Sequence, residues 1–314
     1  MNNQPPVRHL SHKTMIDSKQ VQGIFAAIPT PVQRDGSVHQ GATRTLLDYL
    51  IRQGADGVVP LGGTGEFGSL SQRERVRMAE VTTTHVAGRM PVVAGVLTPG
   101  LRDGLDAARD FAAVGVDAVM VVTPYYTNPT QQGIRDYFMR FADESPLPVL
   151  LYEIPYRTRI AIDPLVIHEL SRHERIIGMK ACNPDLYHFL KTVAGVDDSF
   201  SLLSGEDTLF PLHIGAGARG GVLSTATMLP KTWRRLMDLV REGDMHEALL
   251  MHRQLMPLID LVFSETNPGP MKSVLQVIGV DAPDLLEPLL PAAAQTSARL
   301  REQFERLLKA YEYA

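Results

Sequence analysis

The amino-acid sequence predicts an α/β fold, a closed (β/α)₈ TIM barrel with a C-terminal helical extension. The chain has 314 residues, a length that one large α/β barrel can fill. Eight short runs rich in Val, Ile and Leu alternate with amphipathic stretches, at spacings of roughly 20 to 35 residues that match this barrel. A doubly wound open sheet is the alternative, but eight regular units without a second domain favour the barrel.

The predicted strands are near-continuous apolar runs, which is typical of parallel strands covered on both faces. They occupy residues 23–32, 57–62, 91–96, 118–124, 148–155, 176–181, 200–205 and 220–224. The stretches between them have helical periodicity. The first, residues 40–54, ends at Gly54, and the second begins after Ser71, a residue type that caps helix N-termini.

Three regions follow from this pattern. Residues 1–22 are polar and contain proline, which predicts a loose N-terminal arm, and residues 23–243 form the barrel. Residues 244–314 form a helical extension. Extra helices of this sort more often support a barrel or make subunit contacts than carry catalytic residues. The helices predicted from residue 230 onward occupy 230–244, 245–263, 269–279 and 294–313.

Composition and charge exclude several classes of function. Hydrophobic residues make up 44% of the chain, and the formal net charge is −4, so no basic surface for nucleic acid or anionic membrane is expected. No apolar run approaches the ~20 residues of a membrane helix, and the N-terminus lacks the apolar centre of a signal peptide. The single cysteine, Cys182, excludes an internal disulfide and indicates the cytoplasm.

The strongest chemical signal is Lys180, which closes the apolar strand 176–181. Side chains at the carboxyl ends of barrel strands converge on one site. Burial disfavours the ammonium form of lysine and supplies the free amine that a Schiff base needs. Taken alone, Lys180 fits equally well a lysine that extends from a strand end into water. Tyr152, at the end of the preceding strand, favours the catalytic interpretation.

Two tyrosines at strand ends offer phenols for proton transfer. Tyr152 and Tyr126 could pass protons as a carbinolamine forms and collapses. An isolated tyrosine is more often a packing residue whose hydroxyl reaches water. The "PYY" step before Asn128 is a turn that could present both of its rings.

Two further features suggest binding of carboxylates. The turn "GGTGE", which starts at Gly62, lets backbone N–H groups approach an anion, and Thr64 adds a hydroxyl donor. The turn is neither a Walker loop nor a dinucleotide fingerprint, and its spacing also fits an ordinary strand–helix turn. Arg157 could bind a second carboxylate in bidentate fashion, or it could be a surface arginine. Glu153 should face away from the site, in a structural role.

Metal chemistry is disfavoured by the placement of the histidines. They fall mainly in predicted helices, and neither HExxH nor paired cysteine spacing occurs. We therefore expect no metal and no other cofactor. His213 is expected to be a hydrogen-bonded helix residue.

With these residues placed, the chain resembles the dihydrodipicolinate synthase / N-acetylneuraminate lyase family of class I aldolases. The resemblance runs from about Gly23 to the C-terminal helices. It rests on seven motifs in the order and spacing of that family: "GGTGEFGSL", "VVTPYYTNP", "LLYEIPYRT", "IIGMKA", "LLSGED", "GGVLS" and "NPGPMKSVLQVIG".

The resemblance implies a TIM barrel that assembles as a homotetramer built from tight dimers. It implies a pyruvate Schiff base on Lys180, with Tyr152 as proton shuttle. The backbone of Gly63 and Thr64, with the Thr64 hydroxyl, would hold the keto-acid carboxylate. Leu223 would pack near bound pyruvate, and Tyr126 would reach across the dimer interface into the neighbouring site.

Departures from the family pattern bear on the substrate. The synthases carry a hydroxyl residue where this chain has Gly63, which cannot pass a proton. Ala181 follows Lys180 where the family frequently has glutamate, which alters the wall beside the lysine. Arg157 matches the synthase arginine that binds the carboxylate of the second substrate. Pro99 stands where a polar amide is expected, so lysine inhibition is not predicted.

Three functions remain in view. The first is a dihydrodipicolinate synthase-like lyase that condenses pyruvate with an aldehyde acid, or releases it. The second is a dehydratase or retro-aldolase acting on a keto-deoxy sugar acid, which Gly63 favours and Arg157 disfavours. The third is a keto-acid-binding barrel without turnover, and the presence of both Lys180 and Tyr152 argues against it.

Overall fold

The computed structural model describes residues 15–313, and eight parallel strands form its barrel. The hydrogen-bonded order runs from β2 through β1 and β8 down to β3. A parallel bridge between Val58 and Val92 closes the remaining gap between β2 and β3. The strands are β1 (Gly23–Ala27), β2 (Gly57–Val59), β3 (Val93–Val96), β4 (Ala118–Val122), β5 (Val149–Glu153), β6 (Ile176–Ala181), β7 (Ser201–Ser204) and β8 (Gly220–Leu223). The predicted TIM barrel is confirmed.

Helices surround the barrel and continue beyond it. Ser71 caps the second helix by accepting a hydrogen bond from the Glu74 amide, as predicted. The helices are α1 (Gln40–Arg52), α2 (Gln72–Val86), α3 (Leu101–Ala113), α4 (Gln131–Glu144), α5 (Pro155–Thr158), α6 (Pro164–Leu170), α7 (Leu186–Val193), α8 (Phe210–Ala216), α9 (Pro230–Arg241), α10 (Met245–Phe263), α11 (Gly269–Lys272) and α12 (Ala294–Leu307). None of those within residues 15–313 combines the length and the apolar character of a membrane-spanning helix.

Several strands end earlier than the apolar runs suggest. Strand β1 stops at Ala27 and β2 at Val59, whereas the sequence predicts strands to residues 32 and 62. Proline lies just beyond each end, at Pro29 and Pro60. Because proline has no backbone N–H, it cannot continue the ladder of a central strand. The residues beyond the strand ends are therefore free to form the mouth of the barrel.

A bulge in β6 sets which side chains face the barrel interior. Val149 pairs with Ile176, but the next residue of β5, Leu150, pairs with Gly178. Ile177 is therefore an extra residue in the strand. Because side chains alternate along a strand, this insertion turns Lys180 toward the interior, while Met179 packs in the outer core between strands and helices.

The N-terminal segment contacts the barrel before β1 begins. Residues 1–14 of the predicted arm lie outside the described residues. From there on the chain is not a loose arm, because Ile16 and Val21 are buried with Phe25 in the barrel interior. The Ser18 hydroxyl also donates to the Asp198 carbonyl at 3.1 Å. Apolar residues 16 and 21 thus cover the amino-terminal end of the barrel.

The extension packs as helices against the outside of the barrel, although one predicted helix is interrupted. Residues 269–279 form the short helix α11 and a 3₁₀ turn, Leu275–Ile278, rather than one continuous helix. The chain also reaches the barrel mouth between α10 and α11. This segment places residues 265–267 on the wall of the site described next.

Candidate active site

The carboxyl ends of the strands surround a cavity of about 370 Å³. Five of the seven predicted site residues lie on its wall, which is where the barrel geometry places them. They are Gly63, Thr64, Tyr152, Arg157 and Lys180. The two remaining predicted residues, Tyr126 and Leu223, lie elsewhere.

Lys180 and Tyr152 form the centre of the cavity. They are register partners on the adjacent strands β5 and β6, and the Lys180 Nζ atom lies 4.6 Å from the centroid of the Tyr152 ring. Their residues are only 7% and 3% exposed. Burial raises the pKa of the Tyr152 phenol well above its usual value, although Arg157 lowers it in part. The phenol therefore keeps its proton and can donate a hydrogen bond.

Thr64 is held by two residues that the sequence did not single out. Its Oγ1 atom lies 2.9 Å from the Ser224 hydroxyl, and the Asn267 side-chain amide donates to it at 2.8 Å. Ser224 follows β8, and Asn267 comes from the extension. The hydroxyl at residue 64 is thereby fixed at the cavity wall, where a carboxylate could accept a hydrogen bond from it.

The turn that contains Thr64 is compact, and contacts with the C-terminal extension hold it in place. A Cβ atom at Gly65 would lie 2.6 Å from the Leu61 amide nitrogen, so only glycine fits there. Glu66 adopts a left-handed conformation, with φ 56°. Its buried carboxylate accepts hydrogen bonds from Lys272 Nζ at 2.5 Å and from the Leu286 amide at 2.8 Å. The extension thus fixes the position of the turn.

Lys272 is a second buried lysine, and its environment differs from that of Lys180. Its side chain is 1% exposed, that of Glu66 is not exposed, and Nζ also donates to the Asp284 carbonyl at 2.6 Å. Burial lowers the pKa of Lys272, and Glu66 opposes that shift. Two acceptors engage this amine, so it serves as an anchor rather than as a nucleophile.

Arg157, on the short helix α5, lies between the first cavity and a second one of about 440 Å³. A Cβ atom at Gly63 would be 3.5 Å from its Nη1 atom, so the guanidinium packs over that glycine. The second cavity is mainly apolar and includes Phe67, Leu97 and Tyr125. Together the two cavities leave room for two small molecules side by side.

Tyr126 and Leu223 do not line either cavity of this single chain. Tyr126 is 90% exposed and has φ 74°, so its ring projects away from the barrel. Its neighbour Tyr125 lines the second cavity instead and donates to the Leu97 carbonyl at 3.1 Å. Leu223 is fully buried in the outer core, and Ser224 takes the adjacent wall position.

Two acids after β7, Glu206 and Asp207, line the cavity and were not predicted as site residues. They are the acids of the "LLSGED" motif, whose position after a strand is the signal that could have found them. Burial, together with the neighbouring Asp207, raises the pKa of Glu206 to about 7, and Lys180 opposes the shift. Burial also raises the pKa of Asp207, opposed by hydrogen bonds from Thr225.

Glu153 and His213, two polar residues considered in the sequence analysis, have structural contacts away from the cavity. Glu153 is fully buried outside the barrel, where its Oε1 accepts from the Ile162 amide at 3.0 Å. His213, in α8, stacks on Phe189 with ring centroids 3.9 Å apart and lies 2.8 Å from the Ser204 hydroxyl through Nδ1. Across residues 15–313, no three His, Cys, Asp or Glu side chains are grouped so that they could hold a metal ion.

Comparison with known proteins agrees with this geometry. The model of the dihydrodipicolinate synthetase family matches residues 20–310. A 4-hydroxy-tetrahydrodipicolinate synthase of Acidiphilium cryptum (strain JF-5) is 34% identical over 279 residues, which cover 89% of this chain and 96% of that protein.

Solved structures give the same result. The 4-hydroxy-tetrahydrodipicolinate synthase of Methylacidiphilum fumariolicum SolV has a TM-score of 0.87 at 31% identity, covering 93% of this chain and 98% of that one. The chloride-inhibited dihydrodipicolinate synthase of Acinetobacter baumannii, complexed with pyruvate, has a TM-score of 0.86 at 28% identity, covering 91% and 98%.

A closed eight-stranded barrel with a buried lysine beside a buried tyrosine at its mouth defines a class, the Schiff-base-forming lyases. Within that class, the chain belongs to the dihydrodipicolinate synthetase family. The family resemblance predicted from the seven motifs is confirmed.

Proposed function

We propose that the chain condenses pyruvate with an aldehyde acid, or releases it, through an enamine on Lys180. The observation that carries this proposal is the buried pair of Lys180 and Tyr152, with Nζ 4.6 Å from the ring centroid. The pair faces a cavity whose wall includes the fixed hydroxyl of Thr64. A nucleophile, a proton donor and an anion-binding turn thus meet at one place.

The first half of the proposed reaction takes place at Lys180. Its amine attacks the C2 carbonyl of pyruvate, and the Tyr152 phenol supplies the proton that lets the carbinolamine oxygen leave as water. The pyruvate carboxylate binds the backbone N–H groups of Gly63 and Thr64 and the Thr64 hydroxyl. We also propose that Leu223 supports this wall from behind, since it directly precedes Ser224. The iminium draws electrons from C3, so no external cofactor is needed for carbanion chemistry.

The second half takes place toward Arg157. The enamine attacks the aldehyde of the second substrate, whose carboxylate binds the guanidinium in bidentate fashion. The position of Arg157 on the walls of both cavities supports this role, because a molecule bound there would share the first cavity with Lys180. We propose the cytoplasm as the site of this reaction.

Intact mass spectrometry after incubation with pyruvate and sodium borohydride tests the proposal. We expect one reduced pyruvate adduct per chain, mapped to Lys180 by peptide digestion. Turnover should then be measured with aldehyde acids and, separately, with keto-deoxy sugar acids. Folded protein without any pyruvate adduct would contradict the proposed mechanism.

A keto-deoxy sugar-acid dehydratase or retro-aldolase is the second candidate, and Gly63 is the observation that favours it. We predict that Gly63→Ser folds normally, since its Cβ would meet Arg157 at an ordinary contact distance of 3.5 Å. If the chain is a condensing enzyme, the added hydroxyl should raise the condensation rate by about tenfold or more, because a positioned proton-transfer group acts there.

The control is Gly63→Ala, which adds the Cβ without the hydroxyl and should not raise the rate. Parallel steady-state assays of both variants on the two substrate sets provide the measurement. A loss of sugar-acid dehydration in Gly63→Ser, without a gain in condensation, would instead establish the dehydratase.

We further propose that the enzyme is a homotetramer built from dimers, in which Tyr126 enters the site of the neighbouring chain. The 90% exposure of this ring and its left-handed backbone support that role. Tyr126→Phe should lower turnover by about 10²-fold, within the range for a lost proton-transfer group.

Mixed oligomers test whether Tyr126 acts across an interface. When Tyr126→Phe and Lys180→Ala chains are co-expressed with different tags, each mixed dimer would contain one intact site. We therefore expect activity in the doubly purified species and little in either parent oligomer. Mixed oligomers as inactive as the parents would show that Tyr126 acts within its own chain.

A further inference from the structure

Glu206 faces the same space as the nucleophile and the proton donor. A Cβ atom on Gly205 would lie 3.0 Å from both Cγ and Cε of Lys180, so the backbone just before Glu206 packs along the lysine side chain. Lys180 acts electrostatically on Glu206, and Glu206 acts on Tyr152. All three side chains line the cavity of about 370 Å³.

The Glu206 carboxyl has no structural task within the described chain. Its backbone exchanges hydrogen bonds with the Ser204 hydroxyl, but no donor among residues 15–313 binds its carboxylate oxygens. The neighbouring Asp207 differs, because its Oδ1 accepts hydrogen bonds from the Thr225 amide at 3.0 Å and from the Thr225 hydroxyl at 2.5 Å. The Asp207 carboxylate therefore has a structural role, whereas the Glu206 carboxylate is free to contact a bound molecule.

The surroundings of Glu206 bring the pKa of its carboxyl close to neutral pH. With a pKa of about 7, both the acid and the carboxylate are populated under ordinary conditions, which is the property that favours a proton-transfer group. The titratable and charged groups that share its cavity are Tyr152, Tyr156, Arg157, Lys180, Cys182, Asp207 and Glu265.

We propose that Glu206 is a catalytic residue that removes the C3 proton of the lysine-bound substrate and later returns it to the second substrate. This inference rests on the proposed function. In the first step the Glu206 carboxylate takes the proton. The C3–H electron pair forms the C2=C3 double bond of the enamine, and the C=N⁺ bond becomes C–N.

The second step restores the carboxylate. The enamine C3 attacks the aldehyde carbon, a C–C bond forms, and the aldehyde oxygen receives the proton from Glu206 as it becomes a hydroxyl. The C–N bond becomes the iminium again, and water later releases the product from Lys180. No other oxidant, reductant or co-reactant is required.

This role is open to Glu206 because Gly63 has no side chain that could transfer a proton. The glycine retains its backbone N–H but has no hydroxyl. Glu206, which follows β7, supplies an acid on another wall of the same cavity.

Exchange of the pyruvate methyl protons with D₂O tests the proposal without knowledge of the second substrate. Proton NMR follows the exchange at saturating pyruvate, and borohydride trapping reports whether Lys180 still reacts. In the wild type we expect exchange to rise with pH through about 7, because the carboxylate form is the base. Glu206→Gln should retain the trapped adduct, lose that rise, and exchange about 10²-fold more slowly.

Two further variants make the outcome decisive. Glu206→Asp keeps a carboxyl at a displaced position, so we expect an intermediate rate with the pH-dependent rise retained. Glu305→Gln makes the same chemical change on the exposed face of α12 and should behave as wild type.

The possible failures are distinguishable. Exchange in Glu206→Gln within threefold of wild type, or the same pH-dependent rise in that variant, would overturn the role of Glu206 while leaving the Schiff base intact. If Glu206→Gln does not fold or form the adduct, a Glu206→Asp profile without the rise would overturn it. Absence of both adduct and exchange in the wild type would instead remove the proposed function itself.

Discussion

Lys180→Ala should form no borohydride-trapped pyruvate adduct and should lose at least about 10³-fold in turnover, because the nucleophile itself is removed. The variant should still fold. Outside the reaction, the described contact of the Lys180 amine is with the Tyr152 ring, and removal of a buried polar group relieves its desolvation. Intact mass, turnover and a thermal unfolding curve on one preparation provide the measurement.

Lys180→Arg is the matched control for this prediction. Arginine keeps the positive charge and much of the length, but its guanidinium stays protonated and cannot form a Schiff base. Both variants should therefore lack the adduct. A trapped adduct in either variant would place the reactive amine elsewhere, for example at the buried Lys272.

Lys272→Met should give the largest loss of stability among these variants. The substitution leaves the Glu66 carboxylate buried with the Leu286 amide as its remaining donor, and it deprives the Asp284 carbonyl of its bond to Nζ. Breaking a buried ion pair from one side costs about 3–5 kcal/mol of unfolding free energy. Urea titration followed by the fluorescence of Trp233, the single tryptophan and fully buried, measures that loss.

The effect should extend to substrate binding, since Glu66 belongs to the same turn as Thr64. We expect a higher pyruvate concentration for half-maximal adduct formation in Lys272→Met than in wild type. The double variant Glu66→Gln/Lys272→Met removes both charges and should recover part of the lost stability. A single variant as stable as wild type would show that the ion pair does not anchor the turn.

Local signals in the sequence were sufficient to predict that Lys180 and Tyr152 lie side by side at the barrel mouth. Apolar runs predict the strands, and strand ends in a barrel must meet, so Lys180 and Tyr152 could be placed together before any coordinates. The identity of the turn around Thr64 followed from its glycines. These inferences need only the pattern of apolar residues along the chain and the topology of a barrel.

The residues that hold the site could not be found in the same way. Thr64 and Asn267 are 203 positions apart, and Glu66 and Lys272 are 206 apart. No local pattern reports on such pairs, because the path of the extension over the barrel brings them together. The role predicted for Tyr126 has a different obstacle, since it depends on a second chain.

The bulge at Ile177 has a consequence for how this chemistry is encoded. The Lys180 side chain points either into the barrel interior or toward the helical layer, depending on whether the number of residues between the start of β6 and position 180 is even or odd. Loss of one residue at the bulge would leave every chemical group of the strand present and point the lysine at apolar neighbours. A lysine amine inside the barrel is thus specified twice, by the residue type at position 180 and by the number of residues that precede it in the strand.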